Sequence, residues 1–142
     1  MPDPWTVLHE HFPHIQLMRA PIAKRGRYYH QLRTIVIRTG LLVVEERATL
    51  WHEIVHAERG DERCDGLAHR RMEARCHREA ARRAIDIHEL AEALLWSDCE
   101  HQQAEYCKTT IEYLQIRKDP RNLHPAERGL LHRAVARREE TA

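Results

Sequence analysis

The sequence predicts an α+β domain, mostly helical with a small N-terminal sheet, and three observations carry that reading. Thr34-Ile35-Val36-Ile37 is β-branched at every position, which suits a strand. Val44, Ala48, Trp51 and Val55 recur at spacings of four, three and four, the core-facing stripe of a helix over about residues 44 to 58. Apolar residues at helical spacing then continue to residue 138, so helix outweighs strand. A chain of 142 residues suits one domain with a modest core.

Residues 1–43 read as a helix and the sheet. The helix covers about residues 5 to 11 and is broken by Pro13, a strand is predicted at 15 to 18, and Gly26 marks a turn. Tyr28-Tyr29-His30 and residues 32 to 38 then form two short strands or one bent one. Residues 44–99 are the helical core. They hold the helix over 44 to 58, a polar connection containing Gly60, Asp61, Cys64, Asp65 and Gly66, a second helix over about 67 to 85, and a third over 87 to 96 with Leu90, Leu94 and Leu95 on its apolar side. Residues 100–142 are C-terminal helices. From 102 to 117 the pattern is that of two helices around a turn at Cys107-Lys108-Thr109, an arrangement found in DNA binders and more often in helical packing. Pro125 opens the last helix at the first-turn position that tolerates proline.

The chemistry is concentrated in His52-Glu53-Ile54-Val55-His56. On a helix, His52 and His56 lie one turn plus roughly 40° apart, so both imidazoles can reach one metal ion. Glu53 lies about 100° from His52, close enough to act on a water at that ion as general base without being a ligand. With 12 His and 16 Glu in the chain, roughly 0.1 such patterns arise by accident. Lone histidines beside a core stripe are usually hydrogen-bonded core residues, and it is the pair with a glutamate between them that favours zinc.

A catalytic zinc needs a third protein ligand. On the second helix Glu73 shares the small-apolar face with Cys76, His77 and Ala80, whereas Glu79 falls among Arg75, Arg78, Arg82 and Arg83 on the outer side. A carboxylate on a buried stripe is costly unless paired or metal-bound, and one among surface arginines needs no special explanation. Glu73 is therefore the predicted ligand. Its alternative role is a buried ion pair with an arginine. His77 stays outside the ligand set, as a supporting group, an alternative ligand or packing, and Asp61 and Asp65 are fallback ligands. Tyr28, Tyr29, His30 and His69 are candidates to stabilise a developing oxyanion.

The run from Thr34 to Val36, then Glu46-Arg47-Ala48-Thr49-Leu50-Trp51-His52-Glu53-Ile54-Val55-His56, Glu73 and Glu79-Ala80-Ala81 resembles the ImmA/IrrE metallopeptidase family, especially the short forms of actinobacterial phages and prophages. The resemblance covers about residues 34 to 95. It implies a zincin-like fold, zinc held by His52, His56 and Glu73, Glu53 as base, and a regulatory endopeptidase that cuts a DNA-binding repressor or similar protein. The chain differs in carrying His77 where many relatives have asparagine and Glu79 where they have an aromatic residue.

Composition limits the alternatives. A formal net charge of +1 argues against a protein that holds nucleic acid or membrane by bulk electrostatics. Twenty of the 23 basic residues are arginine, a bias that by itself is no signal of nucleic-acid binding. The four cysteines, Cys64, Cys76, Cys99 and Cys107, have no C-x-x-C spacing and read as buried free thiols. With no signal-peptide pattern and no long apolar run, the expected location is the cytoplasm, away from membranes. The reading from a different class is a non-catalytic regulatory module that grips a repressor or DNA through its C-terminal helices.

Overall fold

The computed structural model describes residues 3–61 and 66–142. Helix α1 (Pro4–His11) is capped by Asp3, whose carboxylate accepts from the Trp5 amide, with proline in its first turn. Strands β1 (Gln16–Ala20), β2 (Gly26–Tyr29) and β3 (Thr34–Arg38) form one sheet in the order β1-β3-β2. β1 runs parallel to β3, with Gln16 opposite Thr34, and β2 runs antiparallel to it, with Tyr28 opposite Ile35. The β-branched run is the central strand: Ile35 and Ile37 are fully buried.

Helix α2 (Val43–Arg59) lies against this sheet. Glu45 and Glu46 occupy its first turn and His56 and Arg59 its last, each charge type at the end where the helix dipole favours it. The Glu45 carboxylate accepts from the Leu42 amide at 3.0 Å, and Gly60, at φ +65°, closes the helix in the left-handed conformation. Then come α3 (Gly66–Ala84), α4 (Ile87–Trp96), α5 (Glu100–Tyr106), α6 (Ile111–Lys118), a 3-10 turn (Pro120–Asn122) and α7 (Pro125–Thr141). The core is one cluster, running from Leu8, Ile35 and Ile37 through Leu50, Trp51 and Ile54 of α2 to Ala80 and Ala81 of α3, Leu90 of α4, Leu114 of α6 and Leu131 of α7. No helix among the described residues is long and apolar enough to cross a membrane.

The class expected from the sequence, α+β and mostly helical with a small sheet, is the one observed. Two details differ. Gly26 opens β2 rather than marking a turn, because the strand passes so close to α2 that a Cβ there would collide with Thr49 Cγ2 and stand 3.2 Å from Glu53 Cγ. Cys76 and Cys107 are buried free thiols, but Cys99 is exposed; Cys64 lies outside the described residues. Helix α6 packs into the core, the commoner of the two roles expected for its pattern, with Tyr113, Leu114 and Arg117 buried.

The tight passage at Gly26 carries a prediction. Gly26→Ala is expected to push β2 off α2 and cost about 1 to 3 kcal/mol, the usual range for overpacking. Urea unfolding measures it, and an unchanged midpoint would show that the strand can shift freely.

Candidate metal centre

The helical spacing in α2 brings His52 and His56 to one face, and α3, packed alongside, delivers Glu73 to the same point. The two Nε2 atoms are 3.1 Å apart. Glu73 spans both, with Oε2 2.9 Å from His52 Nε2 and Oε1 2.9 Å from His56 Nε2. Both histidines are buried, and Glu73 is partly covered. These three residues could together hold a metal ion.

The electrostatics fit a site built around positive charge. Burial by itself raises the pKa of Glu73, but hydrogen bonds from His52 and His56 outweigh it and hold the carboxyl well below its usual range. Burial likewise works against a charged His56, yet its contacts with Cys76 and Glu73 and the field of Glu53 prevail and raise its pKa to about 11.

The remaining nitrogen of His56 is also engaged. Asp61 Oδ2 stands 3.0 Å from Nδ1, and Cys76 Sγ is 3.4 Å from the same nitrogen. Asp61, expected as a fallback ligand, is therefore placed behind His56, where it can fix the tautomer and orient the ring. Its position follows from the left-handed turn at Gly60, which points the next residue back at the helix end, with the Asp61 amide donating to the His56 carbonyl at 3.0 Å. The other fallback, Asp65, lies outside the described residues. His56, Asp61 and Cys76 make a second group of donor atoms that could hold a metal ion, sharing His56 with the first.

Glu53 is buried at 5% exposure, and desolvation pushes its pKa above the usual carboxylate value. It lines a cleft of about 1120 Å³ together with His52, His56 and Glu73. The β2 wall of the cleft includes Tyr28, Tyr29 and His30. Tyr28 Oη and His30 Nδ1 are 3.0 Å apart, and Arg27 lies 4.7 Å from the ring centre of Tyr29. His69, Met72 and His77 line the α3 side. His77 stacks on His52 with ring centres 4.2 Å apart, and burial lowers its pKa. Glu79 is on the far side of α3, 3.0 Å from Arg83.

One wall was not visible in the sequence. The first turn of α6 closes the cleft with Thr110, Glu112 and Tyr113, and the Tyr113 hydroxyl donates to the Ala48 carbonyl of α2 at 3.0 Å. No family model, no curated protein and no solved structure matches the chain.

Proposed function

We propose that this chain is a zinc-dependent endopeptidase of the ImmA/IrrE type, with a zincin-like active-site helix, acting on a regulatory protein such as a DNA-binding repressor. The observation that carries the reading is the convergence of both His Nε2 atoms and the Glu73 carboxylate on one point beside the buried Glu53. Donors held about 2.0 to 2.1 Å from one ion in a tetrahedron stand roughly 3.3 Å apart. Here the two nitrogens are 3.1 Å apart and each is 2.9 Å from a different oxygen of the Glu73 carboxylate, so a modest opening of the cluster admits zinc with either oxygen as the third donor. Two imidazoles and one carboxylate leave a position open for reaction, and the Asp61 carboxylate behind His56 is the kind of support such ligands receive.

Bound zinc would supply the Lewis acidity that polarises a scissile carbonyl and brings the pKa of water toward about 7. The protein does the rest. Glu53, desolvated and with its proton affinity raised, takes a proton from the attacking water and passes it to the leaving amine. Among the described residues β2 has only one neighbour in the sheet and borders the cleft, so an extended substrate segment can add along its free edge. Tyr28 and His30, joined by their hydrogen bond, offer polar groups for the developing oxyanion.

The test is metal content. About one zinc per chain by mass spectrometry, lost in His56→Ala, is expected. A folded wild-type protein that takes up no zinc on incubation would overturn the peptidase reading and leave the non-catalytic regulatory module in its place.

A further inference from the structure

The outer face of α3, whose arginines the sequence assigns to solvent, is one wall of a second cavity. Arg75, Arg78 and Arg82 project there at helical spacing, and Arg59 from the end of α2 joins them. The opposite wall is Arg117 of α6 and the segment from Arg121 to His124 that leads into α7. The cavity is about 360 Å³, near the lower limit for small-molecule sites.

Its charge is only partly balanced. The ion pairs of this region are Arg82–Glu127, Arg117–Glu127, Arg83–Glu58, Arg83–Glu79 and Arg121–Asp119. Arg75 and Arg78 are in none of them and have no carboxylate partner among the described residues, while Arg59 donates through Nη1 to Cys76 Sγ at 3.9 Å and acts by its charge on Glu58. The second observation lies in the wall itself. Arg117 is 4% exposed, donates through Nε to the Ile85 carbonyl and through Nη2 to Glu127, both at 2.9 Å, and leaves Nη1 buried with no partner. A buried guanidinium nitrogen without an acceptor is costly and calls for a group that completes it. Glu79 also lines the cavity, but it is paired with Arg83, so Arg75, Arg78, the remaining donors of Arg59 and the unpartnered nitrogen of Arg117 still suit an anion with several oxygens and more than one negative charge. A single carboxylate would leave much of that charge uncompensated.

We infer that the cavity between α3 and the α6–α7 junction binds a small phosphoryl-bearing anion, with Arg59, Arg75, Arg78 and the free Nη1 of Arg117 as its donors. The site shares no lining residue with the metal cleft. Its occupation needs neither zinc nor catalysis, so it stands or falls separately from the peptidase reading.

Calorimetric titration of the full chain with inorganic phosphate, pyrophosphate and a nucleoside monophosphate tests it. Saturable binding of at least one is expected at moderate salt. The double variant Arg75→Ala/Arg78→Ala, on an exposed helix face, should weaken it about 100-fold, as expected for two charge-assisted contacts, while Arg133→Ala/Arg137→Ala on α7 should not. Since Arg117 is buried, its role is read by Arg117→Lys with the fold checked by circular dichroism. No saturable binding by wild type, or equal loss in both double variants, overturns the proposal. So does binding of short duplex DNA alone, with a steep salt dependence, which would make the arginines a nucleic-acid contact.

Discussion

Glu53→Gln is expected to keep its metal and lose cleavage, by a factor of about 10² to 10⁴, the range general-base groups contribute. The substitution is nearly isosteric, and Glu53 is not among the three donors that face one another, so zinc content should equal that of wild type. The amide cannot accept the proton that burial prepares Glu53 to hold. Cleavage of a repressor substrate under single-turnover conditions, read beside zinc content, gives the result directly. A variant that cuts at the wild-type rate would remove Glu53 from the mechanism, and one that loses zinc would make it a structural residue.

The second large effect is on stability. The donors come from two helices, His52 and His56 from α2 and Glu73 from α3, so a bound ion joins them. Free zinc at a thousandfold over its dissociation constant adds about 4 kcal/mol, which for a chain of this size raises the melting temperature by roughly 10 to 15 °C. The metal-free and metal-loaded forms should respond to pH with opposite signs. In the metal-free chain the raised pKa of His56 contributes stability that is complete below its unfolded value of 6.5 and is lost as pH climbs toward about 11. In the loaded chain zinc replaces that proton, so its contribution grows with pH and disappears on acidification. The lowered pKa of Glu73 belongs to the metal-free chain, and its contribution is lost only as pH falls below the unfolded value of 4.5, so it leaves the range from pH 6 to 9 untouched. The gap in melting temperature between the two forms should therefore widen from pH 6 to 9. A constant gap would mean that no ligand proton is displaced.

How much of this was legible in the sequence depends on how far apart the interacting residues lie in the chain. The central strand, the helix bearing His52 and His56, and the choice of Glu73 over Glu79 follow from periodicity, which records which side of an element faces inward. Asp61 was visible as an acidic residue near the site, but its place behind His56 depends on the left-handed turn at Gly60. Gly26 looked like a turn because the approach of Thr49 and Glu53 is a tertiary fact. Tyr113 closes the cleft through a bond to Ala48 that no local pattern encodes. The wheel placed Arg75, Arg78 and Arg82 on the outside of α3 and could not register that α6 and the start of α7 pass over that side.

The Tyr113–Ala48 hydrogen bond also bears on how portable the site is. A fragment carrying α2 and α3 would include the three metal donors and Glu53, yet it would lack both β2 and the first turn of α6, the two walls that give the cleft its shape. Moving the H-E-x-x-H helix into another scaffold would therefore carry over the candidate metal donors without the cleft around them. Selection for activity would have to act on three separated stretches of the chain at once, around Gly26 to His30, Ala48 to His77, and Thr110 to Tyr113.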